Sequence, residues 1–136
     1  MKLKTLLAIL SLSLFLAFGC ASVRQAELTT PDYSISHTFP NATTATVKAA
    51  ILGACLERGW EVISKTDSLI VASLHHHGKE HVTVEISYTK DHIKISYKSS
   101  VNLLYEKKKG TTYIHKSYNR WVNNLKLSIN TRLANS

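Results

Sequence analysis

The chain has 136 residues, which is enough for one domain with a single modest core. It carries 17 Lys and Arg against 9 Asp and Glu, so its formal net charge is +8 at pH 7. The sequence contains no glycine-rich phosphate loop, nucleophile elbow or paired carboxylates, and this argues against an enzyme.

The first twenty residues have the layout of a secretory signal peptide. Lys2 and Lys4 form a short positive region, residues 5–18 are an apolar run broken only by hydroxyl residues, and Gly19 precedes Cys20. The run is too short for a membrane-spanning helix with proper flanks. We therefore predict a signal peptide over residues 1–19.

The cysteine that ends this run resembles the lipidation site of bacterial lipoproteins, the lipobox. That pattern prefers Leu and then a small residue before Gly-Cys, and Ala17 and Phe18 stand at those positions here. The resemblance implies a diacylglycerol on the thiol of Cys20 and an acylated amino terminus. It implies three acyl chains in all, which would anchor the protein stably. The alternative is an ordinary secreted protein cut near Gly19 or Ala21.

The resemblance also implies a location in the cell envelope. Asp after the cysteine is the inner-membrane retention signal in enteric bacteria, and Ala21 in its place favours the outer membrane, with the domain facing the periplasm. Without the leader, fifteen basic residues remain against nine acidic ones, a formal charge of +6. This charge suits anionic lipid head groups, lipopolysaccharide phosphates or cell-wall carboxylates, and equally plain solubility. Export argues against nucleic acid as a partner.

Residues 20–32 are predicted to be the lipidated cysteine and a tether, because they lack apolar periodicity and end in Pro31 and Asp32. A single domain is expected over residues 33–136. Its first strand covers residues 33–39, where apolar and polar side chains alternate.

A helix is predicted next, from a cap at Asn41 or Thr43 to Arg58, with Gly59 as its stop. Cys55 falls on the apolar stripe of this helix. The position favours a buried free cysteine that behaves as a small hydrophobe over a nucleophile.

Four further strands are predicted at residues 60–65, 69–74, 82–88 and 93–98. The third of them alternates strictly between apolar and polar residues, which is typical of an antiparallel sheet covered on one side. A last helix is predicted from Ile114, with an apolar stripe that includes Trp121 and Leu125 at the seam with the sheet.

The predicted fold is therefore α+β, with the order β-α-β-β-β-β-α. Five strands would form a single antiparallel sheet, and both helices would pack on one face of it. This order of elements resembles the helix-grip domains found in the bacterial β-barrel assembly machine.

The C-terminal third carries a second resemblance. The pattern Asn102-Leu103-x-Tyr105, followed by Ile114-His115-x-x-Tyr118-Asn119-x-Trp121-Val122-x-Asn124-Leu125, resembles the end of small uncharacterised proteobacterial outer-membrane lipoproteins. The resemblance implies no chemistry. It leaves two interpretations of the polar and aromatic positions: a structural role, with Asn102 turning the chain and Tyr118 filling the core, or a binding role for residues such as His115 and Asn119.

Histidines crowd one predicted hairpin, and imidazole is a ligand of zinc, copper and nickel. His75, His77 and His81 are the candidate metal ligands, and His75 and His81 could stand on one outward face of paired strands. No cysteine or aspartate completes a four-ligand site, and Glu80 is the only nearby carboxylate. We therefore predict no resident metal or other cofactor, and interpret the tract as an exposed polar turn.

Lys107, Lys108 and Lys109 lie between the last predicted strand and the last helix. Three consecutive lysines could bind phosphates or a membrane surface, and a solvated loop explains them equally well.

Two classes of function remain open. The first is a non-catalytic envelope lipoprotein that acts as an accessory or interaction protein, with the membrane and an envelope protein as partners. The second is a periplasm-facing binding module for a small or polymeric envelope ligand. An apolar cavity with convergent polar groups would favour the second class, and a solid core with an exposed patch would favour the first.

Overall fold

The computed structural model describes residues 24–136. The predicted signal peptide and Cys20 lie outside the described residues. Ten elements follow in chain order: β1 (Gln25–Glu27), β2 (Asp32–Ser34), α1 (Thr44–Glu57), β3 (Glu61–Lys65), β4 (Leu69–His76), β5 (Glu80–Tyr88), β6 (His92–Val101), β7 (Glu106–Lys108), β8 (Thr111–His115) and α2 (Lys116–Ala134).

Five strands form the larger sheet in the spatial order β2-β6-β5-β4-β3, and every neighbouring pair is antiparallel. Alternation sets the two faces of this sheet. In β5, Val82, Val84 and Ile86 are fully buried, while Glu85 and Ser87 between and after them are more exposed. The sheet therefore has one apolar and one polar face, as the sequence predicts.

Both helices contribute to a single core with the apolar face of this sheet. The capping box between Thr43 and Thr46 starts α1, which buries Val47, Ala50, Ile51, Ala54 and Cys55. Helix α2 buries Tyr118, Val122, Leu125, Ile129 and Leu133 in the same cluster. Of the two residues predicted at the seam, Leu125 is fully buried in this cluster, whereas Trp121 is only partly buried and packs against His76 with ring centroids 5.0 Å apart.

The second sheet has three antiparallel strands in the order β1-β8-β7. The α+β class is confirmed, but the prediction of a single sheet is wrong. The cause is physical: β1 and β7 are three residues long and have no apolar alternation. They are strands only because β8 supplies hydrogen-bonding partners on both of its edges.

Several element boundaries differ from those predicted from the sequence. The sequence predicts a tether through residue 32, yet Gln25–Glu27 pairs with β8, so the domain begins before residue 33. The first predicted strand shortens to Asp32–Ser34 because the chain turns at residues 36–38. Residues 114 and 115 belong to β8, and α2 starts at Lys116.

Candidate functional site

The small sheet lies where the chain enters the domain. The amide of Lys116 donates to the carbonyl of Arg24 at 2.8 Å, and Gln25 pairs with His115. The beginning of β1, the end of β8 and the start of α2 are therefore adjacent. We call this region the entry end of the domain.

Asn119 ties the entering strand to α2. Its side-chain oxygen accepts from the amide and the hydroxyl of Thr29 at 3.0 and 3.1 Å. Its side-chain nitrogen donates to the carbonyl of Glu27 at 2.8 Å. An amide with these bonds is occupied in holding the chain, so Asn119 has a structural role here.

His115 and Asn102 also have structural roles. Nδ1 of His115 accepts from the amide of Ser117 at 3.1 Å and caps α2. Asn102 has φ +57°, the left-handed conformation that Asn tolerates better than most residues, and its side chain donates to the carbonyl of Lys79 at 2.9 Å. Asn102 turns the chain after β6, as the structural interpretation predicts. Tyr118 is fully buried, again as that interpretation predicts.

The three lysines lie in an exposed hairpin, where the sequence predicts either a solvated loop or a binding segment. Lys107 and Lys108 belong to β7, and Lys109 and Gly110 form the turn with φ of +50° and +81°. Lys108 pairs with Glu106 at 3.2 Å. Lys107 and Lys109 form no ion pair within residues 24–136.

Residues 102–105, here called the 102–105 loop, connect β6 to β7 at the entry end. The side chain of Gln25 donates to the carbonyl of Leu104 at 2.8 Å, and the amide of His115 donates to the carbonyl of Leu103 at 2.7 Å. Leu103 is buried, whereas Leu104 and Tyr105 are 49% and 40% exposed. The loop therefore presents two large apolar side chains on a fixed backbone.

The histidine hairpin does not bring the three candidate ligands His75, His77 and His81 together. His75 and His81 are opposite each other in β4 and β5, with ring centroids 4.3 Å apart, as expected. His77 instead lies against His76, at 3.9 Å between centroids. In residues 24–136, no group of three His, Cys, Asp or Glu side chains is arranged to hold a metal ion.

Cys55 lies in the core, where burial raises the pKa of its thiol to about 12. A thiol that holds its proton so strongly is a poor nucleophile. This agrees with the interpretation of Cys55 as a small hydrophobe.

One pairing of chemical groups is not apparent from the sequence. On the polar face of the large sheet, His92 contacts the carboxylate of Asp32, and this hydrogen bond lowers the pKa of Asp32. Ser34 is opposite His92 in the register, but its hydroxyl bonds Ser36 and the carbonyl of Asp91. These side chains therefore do not form a serine-histidine-aspartate relay.

Open clefts lie on the outer side of the helices. One of about 520 Å³ is lined by residues of both, including Thr46, Glu57 and Arg132. The space between the large sheet and the helices is instead occupied by the core side chains. Neither helix of the described part of the chain has the length and hydropathy needed to cross a membrane.

No family model, curated protein or solved structure matches this chain. Function is therefore argued from the residues themselves. Sequence reasoning overlooked Arg24, Gln25 and Leu104, which meet at the entry end. No local pattern marks them, because their neighbours come from distant parts of the chain.

Proposed function

We propose that this chain is a non-catalytic envelope lipoprotein, anchored through acyl chains on Cys20, and that it acts as an accessory or interaction protein at the membrane. The outer membrane is the proposed site, with the domain facing the periplasm. A neighbouring envelope protein is the proposed partner.

One observation supports this proposal: the predicted leader ends a few residues before the first paired strand of the domain begins. The apolar run stops at Gly19 and Cys20, and the first paired strand starts at Gln25. The described core residues all lie between Leu28 and Leu133, so removal of residues 1–19 deletes none of them. A cut before Cys20 is thus compatible with the described domain.

The structural roles of the candidate site residues support the non-catalytic part of the proposal. His115 caps a helix, Asn119 holds the entering strand and Cys55 is buried with a raised pKa. The alternative of a ligand-binding module calls for a cleft between sheet and helices. In the described residues that space is filled by core side chains, so the interaction protein is the better-supported class.

The test is metabolic labelling with a fatty-acid analogue, followed by membrane fractionation. The wild-type chain should incorporate label and sediment with membranes, and Cys20→Ser should do neither. The matched control is Cys55→Ala, which alters the other of the two cysteines and should retain both properties. A wild-type chain without label, or a Cys20→Ser variant that stays membrane-bound, contradicts the proposal.

A further inference from the structure

The exposed apolar side chains are not spread evenly over the domain. Six large apolar side chains are exposed within residues 24–136, and three of them (Val101, Leu104 and Tyr105) fall in five consecutive positions. Single exposed apolar residues are ordinary, whereas three of them within a short segment at the end of β6 and in the loop after it indicate a contact surface.

The backbone of the 102–105 loop is strained in a way that keeps Leu104 exposed. Leu104 has φ +55°, a conformation that is uncommon for a residue with a bulky side chain. Hydrogen bonds from Gln25 and His115 hold the carbonyls of Leu104 and Leu103. The folded domain uses the carbonyl of Leu104 but leaves half of its side chain exposed, so that side chain is available for a contact outside the domain.

Tyr105 packs against a series of aromatic rings that leads into the core. It stacks on Tyr97 at 4.5 Å between centroids and 5° between planes, and Tyr97 meets Tyr118 edge to face at 5.9 Å. Tyr118 is fully buried in the core. The ring of Tyr105 is thus held in place, and its amphipathic side chain suits the boundary between lipid and water.

Most of the unpaired charges beside the loop are positive, because Glu27 in β1 is the one acid of the small sheet without an ion pair in residues 24–136. Arg24, Lys107 and Lys116 are exposed and form no ion pair within the described residues. Glu106, the acid nearest in sequence to the loop, is already bonded by Lys108 and Gln25. Basic residues around exposed apolar groups complement a surface of anionic lipid head groups.

Chain length places this surface close to the anchor. Four peptide steps separate Cys20 from Arg24, and an extended chain covers at most about 14 Å in that distance. Arg24 is itself hydrogen-bonded to Lys116, and Gln25 to Leu104. A lipid on Cys20 would therefore hold the 102–105 loop near the head groups of the same membrane.

From these observations we infer that the 102–105 loop inserts Leu104 and Tyr105 into the interface of the membrane that holds the anchor, with Arg24, Lys107 and Lys116 contacting anionic head groups. This inference rests on the proposed lipidation of Cys20. It goes further by fixing which side of the domain faces the lipid. The polar face of the large sheet is then left available to a protein partner.

The experiment uses the mature acylated chain reconstituted in vesicles of phosphatidylcholine with or without phosphatidylglycerol. An environment-sensitive fluorophore is attached at Leu104→Cys in a Cys55→Ala background. The matched control is Leu127→Cys, because Leu127 on α2 is 51% exposed, almost the same as Leu104. Flotation with the vesicles is measured first and reports the anchor alone.

We expect the probe at position 104 to emit at shorter wavelength than the probe at 127. Nitroxide-labelled lipid should also quench it at least about twofold more strongly, because its side chain lies a few ångströms deep in the interface. Phosphatidylglycerol should strengthen quenching at 104, and Lys107→Gln should reduce that gain.

Each other outcome has a definite meaning. Floating protein with an aqueous probe at 104 overturns the inference and leaves the lipoprotein proposal intact. If the probe at position 104 is aqueous in vesicles but shielded in intact cells, the loop binds a protein. This result also overturns the inference. Protein that does not float and carries no acyl group overturns both proposals.

Discussion

Cys55 lies on the buried face of α1, and its environment makes a direct prediction about pH. Burial raises the pKa of this thiol to about 12, whereas a cysteine in an unfolded chain has a pKa of about 8.5. The folded state therefore holds the proton more tightly. The resulting stability is fully present below pH ~8.5 and is lost as the pH rises towards 12.

We expect the free energy of unfolding to fall between pH 7.5 and 10.5, with up to about 3 kcal/mol of the fall due to Cys55. Urea unfolding at both values checks this, in a Cys20→Ser background that leaves one thiol. Cys55→Ala should lose less stability over the same interval. Buried tyrosines such as Tyr118, whose pKa is also raised by burial, act equally in both proteins and cancel. Equal losses in the two proteins would show that the thiol is not held in its neutral form.

At the scale of single elements, α2 has a buried face and an exposed face, and two leucines two positions apart lie on different faces. Leu125 is fully buried in the core cluster, and Leu127 is 51% exposed. Leu125→Ala should lower the free energy of unfolding by about 2–5 kcal/mol, because it leaves a cavity in the core. Leu127→Ala removes the same atoms from the surface and should stay within about 0.5 kcal/mol of wild type.

Chemical denaturation of both variants gives the comparison. Similar losses at the two positions would mean that α2 is rotated from its described orientation. Trp121→Ala should fall between them, because this half-buried ring packs on His76 at the edge of the core.

The elements that sequence reasoning finds share a physical property. The strands of the large sheet other than β2 are five to ten residues long, and β5 and β6 alternate between apolar and polar residues, while α2 carries an apolar stripe along its 19 residues. Such periods follow from burying one face, so they are visible in the sequence itself. The stop at Gly59, with φ +77° after α1, is equally local and equally visible.

The elements that sequence reasoning misses depend on distant partners. β1 has the sequence Gln-Ala-Glu and pairs with residues 113–115, almost ninety positions away. The role of Asn119 has the same origin, because its partners are residues 27 and 29. The candidate surface at the entry end is built from these contacts, which is why the sequence points to Lys107 and Tyr105 but not to Arg24, Lys116 or their common location.

On the scale of the whole molecule, the way the chain enters the domain decides how a lipid anchor would orient it. Because the chain is paired with β8 from Gln25 onwards, a lipid anchor on Cys20 would hold β8 and α2 close to the membrane. A flexible segment up to residue 32 would instead leave the domain free to rotate. Asn119 is the side chain that secures this entry, with bonds to Thr29 and Glu27.

Asn119→Ala should therefore loosen residues 25–29 before it affects the rest of the domain. We expect faster amide hydrogen exchange in those residues and a loss of about 1–2 kcal/mol in the free energy of unfolding, because backbone groups lose their partners. The matched control is Asn123→Ala, one turn further along α2 and exposed, which should leave both quantities unchanged.

Release of residues 24–29 would also lengthen the connection to Cys20 by roughly 20 Å. In the vesicle experiment the probe at position 104 should then be quenched less in the Asn119→Ala chain. Normal exchange in residues 25–29 of this variant would show that pairing with β8 alone fixes the entering strand.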